Sequence, residues 1–336
     1  MKKKVGIIGL GLIGGSIAYA LRNVFDIVFY DTDTFTREYA ENNGLGRFTP
    51  VEDMKECEVV FVCVPLAVTK SVLESTVKLL PDVIVADVAS VKEPFDSVGG
   101  RYLGTHPMAG TEKGGVCAAK AHLFENAYWI ITACGGDAEV VESIIKHTGA
   151  RPVKMTASEH DKAVAFFSHA PHAVSYSLVS ASVGEASPIA GSGFFDTTRI
   201  AASSGEFWSE VFKQNKDNVL FALGRIEKEL DKIKALLGAD RYDELASYMN
   251  AAKLKREAIF YGEASGEAIY VDLVDRIGEF ERITGKLASA GINVKSIALM
   301  PGREGAGGAL RLEFESGADA LLAKAALGIT EDKEKK

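Results

Sequence analysis

The sequence predicts an α/β fold in which a doubly wound parallel sheet comes first, an all-α segment follows, and a small βαββα unit ends the chain. Three patterns carry that expectation. Short unbroken apolar runs alternate with helix-length amphipathic segments over the first 155 residues, as in parallel strands joined by crossover helices. From Thr156 the periodicity is helical throughout. After the small-residue run GEASG at 262–266 strand patterns return, so this run reads as a linker. The domains are therefore placed at 1–155, 156–262 and 266–330.

Residues 4–8 read as the first strand, because VGII is continuous, apolar and closed by glycine. A helix at 13–23, a strand at 26–30 and a helix at 34–43, stopped near Gly44, follow in turn. VVFVCV at 59–64 is a fully buried strand ended by Pro65; 67–80 is helical and 83–87 is the next strand. A short strand lies at 102–104, and 128–132 and 152–155 are expected to extend the same sheet. This alternation is that of a Rossmann-type sheet.

In the second domain residues 159–182 are expected to form one long helix containing Pro171, whose missing N–H should kink it. A helix at 207–237 places Val219, Leu223, Ile226, Leu230, Ile233 and Leu237 in alternating steps of four and three. That is a seam for another helix, inside the subunit or across a dimer. A third helix runs over 241–261. In the last domain the order is strand 268–273, helix 278–290, strands 293–300 and 309–314, and helix 317–327.

Composition narrows the function. The 336 residues are 47% hydrophobic and 25% charged, with a net charge of -8. No basic stripe offsets that acidity, so nucleic acid is not an expected partner. No run of 18 apolar residues is present, and no membrane partner is expected. The basic start Met1–Lys4 with small residues near Ala18 and Ala20 imitates a secretory signal, but the glycines fall where a phosphate loop needs them. Cys57, Cys63, Cys117 and Cys134 lack CxxC spacing and read as reduced thiols of a cytoplasmic protein.

Gly9, Gly11 and Gly14 make GxGxxG after a strand and at the start of a helix, and Asp31 ends the next strand 22 positions after Gly9. The glycines allow a tight turn, close approach of a pyrophosphate, and close helix packing; the carboxylate takes both ribose hydroxyls and repels a 2′-phosphate. The expected cofactor is NAD, with Gly9, Leu10, Gly11, Leu12, Ile13, Gly14, Asp31, Val64 and Pro65 as the cofactor-binding set. Ser90 follows strand 83–87 at the carboxyl edge where such sheets bind ligands. Ser90-Val91-Lys92-Glu93 also fits a capping box, and both roles stay open. His106 sits in GTHPMAG at 104–110; it is either a structural loop histidine or a neutral imidazole able to take a hydroxyl proton. His169 and His172 flank Pro171 without a third ligand, so no metal site is expected. They read as a polar patch facing a cleft or as core histidines; His122, His147 and His160 receive no role. Arg199 lies among apolar residues, which predicts partial burial and an anionic partner, either Asp196 or a substrate carboxylate.

GLGLIGGS, DVASVKE, GTHPMAGTEKGG, SHAPHAV and FFDTTRIAASSGEFW occur in one order over roughly residues 3–261. In that combination the chain resembles the prephenate dehydrogenase family of tyrosine biosynthesis, with its close relative arogenate dehydrogenase. The resemblance implies NAD-dependent oxidative decarboxylation of prephenate to 4-hydroxyphenylpyruvate. It also implies the roles. His106 would be the catalytic base and Ser90 would hydrogen-bond the ring hydroxyl and His106. Arg199 would bind the ring carboxylate, with His172 in support, and Thr111 and Ser168 would line the pocket. Some members carry lysine where this chain has Phe195.

YVDLVDRIGEFERITGKLASAGINVKSIAL, within 268–327, resembles an ACT regulatory domain. That resemblance implies an amino-acid site near Gly278 and inhibition by tyrosine, or else a dimerising module without a ligand. A homodimer through the helical domain is expected. A reading of another class is a catalytically silent NAD-binding amino-acid sensor, which would have no need of Ser90, His106 and Arg199 together.

Overall fold

The computed structural model describes residues 2–111, 113–132, 136–182, 189–261, 268–274, 276–300 and 309–329. Cys134, the 262–266 run and the tail beyond 329 lie outside them. The chain divides within one long helix into two units, 1–229 and 230–336.

In the first unit, β1 (Lys4–Ile8), α1 (Leu12–Leu21), β2 (Asp26–Tyr30), α2 (Thr34–Asn42), β3 (Arg47–Phe48), β4 (Cys57–Val62), α3 (Leu66–Leu79), β5 (Ile84–Asp87) and β6 (Tyr102–Leu103) build a parallel sheet of order β3-β2-β1-β4-β5-β6. The apolar strands are covered on both faces, as Val5, Ile7, Val59, Val60 and Val85 are completely buried. Chain order reverses between β1 and β4, so a crevice opens at their carboxyl ends, beside Gly9 and Cys63.

Residues 128–131 do not extend this sheet, contrary to expectation. β7 (Thr105–Pro107), β8 (Tyr128–Ile131) and β9 (Arg151–Lys154) form a separate sheet, β7 antiparallel and β9 parallel to β8, with α4 (Gly136–Lys146) joining β8 to β9. The cause lies in the buried Asp87 carboxylate. It accepts the Thr105 N–H at 3.0 Å, so the backbone turns away from the first ladder.

The expected helix at 159–182 is two helices, α5 (Ala157–Val164) and α6 (Ala170–Ala181), with a π-helical turn at Ala165–His169 between them. A Thr156–Glu159 capping box starts α5. Pro171 falls in the first turn of α6, where its lack of an N–H is easily tolerated; the irregularity is the π-turn just before it. α7 (Ser192–Thr198), α8 (Gly205–Gln214) and α9 (Lys216–Gly238) follow. The helix expected at 207–237 is thus broken at Asn215. Val219 and Ala222 of α9 are buried, and Ala222, Leu223 and Ile226 pack with Ala165 and Ala170.

The second unit contains the rest of α9 and α10 (Tyr242–Tyr261), then β10 (Ala268–Asp272), α11 (Glu279–Ser289), β11 (Ser296–Met300), β12 (Ala309–Glu313) and α12 (Gly317–Leu327). The strands form an antiparallel sheet of order β10-β12-β11. Ile269, Val271, Leu310 and Leu312 make a core with Ile283, Leu287, Ala320 and Ala323 of the two helices. The βαββα order expected from the sequence is present. Among the described residues, no helix is long and apolar enough to cross a membrane.

Candidate active site

The loop between β1 and α1 is shaped by its glycines. Gly9 has φ +91°, and a Cβ there would lie 2.6 Å from the Cys63 carbonyl oxygen. A Cβ on Gly14 would lie 2.0 Å from the Gly9 carbonyl oxygen, whereas Gly11 has nothing within 4 Å. Two glycines are thus required by packing, and the third leaves an open approach. Gly11 caps α1 without a side-chain hydrogen bond, leaving first-turn N–H groups for an anion.

The Asp31 carboxylate accepts the Leu10 N–H at 2.7 Å and the Asp33 N–H at 2.9 Å. Both bonds aim it at the loop, and each oxygen keeps a lone pair for a ribose hydroxyl. The Leu10 side chain is buried, so its contribution is its N–H; Leu12 and Ile13 are half-buried, Val64 sits beside Gly9, and Pro65 is exposed. These features fit a dinucleotide with free ribose hydroxyls. A hollow of about 510 Å³ bounded by Lys3, Phe25 and His147 lies at the opposite, amino end of β1.

His106 occupies the middle of β7, paired with Ile130 of β8, rather than a loop. Its strand is anchored on both sides: Thr105 Oγ1 donates to the Asp87 carbonyl, and Trp129 Nε1 donates to Thr105 Oγ1 at 3.0 Å. The Asp87 carboxylate also holds Lys92 Nζ and accepts from Tyr102 Oη at 3.0 Å. Lys92 is 1% exposed; burial lowers its ammonium pKa and the Asp87 charge opposes that shift. Burial and the Asp87 charge both raise the Tyr102 phenol.

His106 Nδ1 lies 2.8 Å from His160 Nε2, and His160 Nδ1 lies 2.7 Å from Asp161 Oδ1. Burial pushes the His106 imidazole well below the usual histidine pKa of 6.5, and His160, Lys92 and His169 push the same way. The ring is therefore neutral, with a lone pair ready, across the physiological range. Among the described residues its Nε2 makes no hydrogen bond.

Asp161 also settles how the Ser90 segment is held. Its carboxylate accepts the Lys92 N–H at 2.8 Å and the Glu93 N–H at 2.9 Å. The capping role considered for Ser90 is thus filled by a residue from α5, and the short 3₁₀ turn at Glu93–Phe95 has no side-chain cap of its own. The Ser90 hydroxyl, half-buried, has no hydrogen bond among the described residues and is left available.

Behind this pair, Asn215 Nδ2 donates to the Asp161 carbonyl at 2.8 Å and faces His169 Nδ1 at 3.1 Å. Asn215 Oδ1 accepts from Asn218 Nδ2 at 2.8 Å, which fixes the amide orientation, so His169 Nδ1 accepts and Nε2 carries the hydrogen. That buried Nε2 has no partner. Burial lowers the His169 pKa to about 4. His172 stacks on Trp208 with centroids 3.5 Å apart and planes at 24°. Its Nδ1–H donates to the Ser168 carbonyl at 2.9 Å, so Nε2 is an acceptor. Burial lowers its pKa, with a further push from Arg199.

Arg199 differs from expectation. It is exposed and forms no ion pair with Asp196 or any other described residue, because α7 buries none of its residues. Thr111 is exposed, with Oγ1 donating to the Lys113 carbonyl at 3.2 Å. Ser168 is half-buried inside the π-turn. Sequence reasoning missed Asp87, Lys92, His160, Asp161 and Asn215; the His160–Asp161 dipeptide opening an apolar helix was the available signal. It left His169 undecided between a cleft-facing patch and the core.

Residues 17–154 match the family model described as prephenate dehydrogenase, nucleotide-binding domain, and 156–251 match prephenate dehydrogenase, dimerization domain. The prephenate dehydrogenase of Bacillus subtilis is 32% identical, the match covering 95% of this chain and 94% of that protein. A crystal structure of prephenate dehydrogenase from A. aeolicus, in complex with hydroxyphenyl propionate and NAD+, is 29% identical with a TM-score of 0.70, over 77% of this chain and 99% of that one. Synechocystis arogenate dehydrogenase is also 29% identical, with a TM-score of 0.69 over 76% and 99%. With its glycine loop, its histidine pair and near full-length similarity to such an enzyme, this chain belongs to the prephenate dehydrogenase family.

Proposed function

We propose that this protein is an NAD-dependent prephenate dehydrogenase, converting prephenate to 4-hydroxyphenylpyruvate and CO2 for tyrosine synthesis in the cytoplasm. The observation that carries the reading is the neutral His106 ring, backed by His160, on the strand that follows directly after the last strand of the sheet whose first turn is the dinucleotide loop. Bound NAD+ supplies the acceptor for the hydride that leaves ring carbon 4.

His106 Nε2 takes the proton of the 4-hydroxyl as that carbon is oxidised, and the Ser90 hydroxyl orients the same oxygen. Loss of the ring carboxylate as CO2 then makes the ring aromatic, so positioning carries most of the catalytic task. Arg199, unpaired and close enough to depress His172, pairs with the ring carboxylate. His172, set by Trp208 and the Ser168 carbonyl, offers Nε2 to the substrate side. Ser168 and Thr111 line the pocket.

The likeness to Synechocystis arogenate dehydrogenase keeps a second reading in play, in which the side chain recognised is alanyl rather than pyruvyl. The C-terminal sheet and its two helices are read as an ACT-like domain that binds tyrosine beside Gly278. Gly278 has φ +85° and starts α11. The protein works as a homodimer through its helical domain.

Initial rates of NADH formation with prephenate and with arogenate, each with and without tyrosine, test these readings together. A much larger kcat/KM for prephenate is expected, falling as tyrosine is added. Preference for arogenate would move the enzyme to the other route to tyrosine, and activity with neither would favour the sensor. An unchanged rate with tyrosine would remove the inhibitor reading alone.

A further inference from the structure

His160 and Asp161 are each 1% exposed and stand directly behind the base. With one proton on His160, the hydrogen bonds in this group have a single consistent assignment. The Asp161 carboxylate already accepts two backbone N–H groups, from Lys92 and Glu93, and a carboxylate has no proton to give. His160 Nδ1, 2.7 Å away, must therefore be the donor. A neutral His160 then has only a lone pair at Nε2, so the 2.8 Å contact with His106 is a bond donated by His106 Nδ1–H. The tautomer of His106 follows: its Nε2 is bare.

We propose that Asp161, acting through His160, holds His106 in the tautomer that presents Nε2 to the substrate hydroxyl, making both positioning residues for the base. The inference rests on His106 being that base. A structural role explains why Asp161 caps the backbone at 92–93, but not why a buried imidazole bridges it to His106. The charged or titratable groups facing the pair include Lys92, itself held by Asp87, together with His169, Asp96 and Tyr102. The Lys92 charge opposes proton uptake by His106, and the Asp161 carboxylate opposes that effect through the His160 dipole. Because both residues are almost completely buried, Asp161 sets the order of donors and acceptors. The Asn215 bond to the Asp161 carbonyl at 2.8 Å pins the backbone from which it acts.

The test uses full-length His106→Ala, His160→Leu, His160→Gln and Asp161→Asn variants. His160→Leu and Asp161→Asn are expected to lose about 10²- to 10⁴-fold in kcat, as when a wrong tautomer is imposed on a catalytic histidine. NADH affinity and KM for prephenate should stay within about threefold. His160→Gln, whose amide oxygen can accept the same Nδ1–H, should recover roughly tenfold over His160→Leu. Nitrogen NMR shifts of labelled His106 should place the proton on Nδ1 in the unaltered protein and on Nε2 in Asp161→Asn.

Normal kcat in His160→Leu and Asp161→Asn, with His106→Ala inactive, would overturn the positioning role while leaving the base reading intact. Equal losses in both His160 variants with the proton still on Nδ1 would also overturn it. Turnover retained by His106→Ala would instead remove the base reading, and this proposal with it.

Discussion

Buried histidines make the protein acid-sensitive. His169 is buried, its Nδ1 accepts from Asn215, and its pKa lies at about 4 against 6.5 for an unconstrained ring. The folded state therefore refuses a proton that the unfolded chain takes up between those values. Stability rises with pH where the unfolded state binds more protons, so this contribution is present above pH 6.5 and is lost as pH falls toward 4. A shift of that size corresponds to about 3 kcal/mol, and His106 acts in the same direction. Glu142 and Glu279, both lowered to about 2 by ion-paired hydrogen bonds, start to cost stability only below about pH 4.5. A Tm that falls between pH 6.5 and 4.5 is thus the histidine signature, and a flat Tm there would refute it. His106 was legible in the sequence because GTHPMAG follows a cofactor fingerprint at domain distance. His160 was not, because its meaning depends on a partner 54 positions away. The exposure of Arg199 was not legible, because apolar neighbours in sequence do not settle burial: Phe194 and Ile200 are half-buried while Phe195 and Arg199 itself face solvent.

At the scale of the element, the β1–α1 turn separates two uses of glycine. Gly14→Ala would drive a Cβ to 2.0 Å from the Gly9 carbonyl oxygen, a backbone atom that cannot swing aside. It should cost about 1–3 kcal/mol of stability and weaken NADH binding as the turn distorts. Gly11→Ala meets nothing within 4 Å, and its φ of -69° suits any residue. That variant should keep the parent Tm yet bind NADH more weakly, because the methyl fills the approach left for the pyrophosphate. Thermal melts and NADH fluorescence titrations of the pair check this. Equal Tm losses, or Gly11→Ala binding at parent affinity, would contradict the assignment. The parallel strands were legible because burial on both faces forces unbroken apolar runs. The separate β7-β8-β9 sheet was not, since an apolar run does not say which sheet it joins. Here Asp87, by accepting the Thr105 N–H, decides it. The π-turn at Ala165–His169 was hidden for a related reason: Pro171 marks a disturbance but not that the extra residue precedes it.

For the whole molecule, the long helices expose more apolar surface than a lone subunit accounts for. Leu220, Phe221, Leu230 and Leu237 of α9 are each about half or more exposed, as are Met249, Leu254 and Ile259 of α10. The seam read from the sequence divides along its length: Val219 is buried, whereas Leu230 and Leu237 are open. Large apolar side chains left exposed on successive helices are surface that water disfavours and a second copy can cover. Residues 156–251, which hold most of these positions, match a dimerization domain. Sedimentation should therefore give twice the mass of the chain, independent of loading down to low micromolar concentration. Leu230→Glu combined with Leu254→Glu places a carboxylate in each helix face, where desolvating an unpaired charge opposes association. The expected result is a monomer that still binds NADH, because the glycine loop and Asp31 lie in the first unit far along the chain from both changes. A variant that stays dimeric would place the interface elsewhere. One that loses NADH binding together with association would show that the cofactor site depends on the partner.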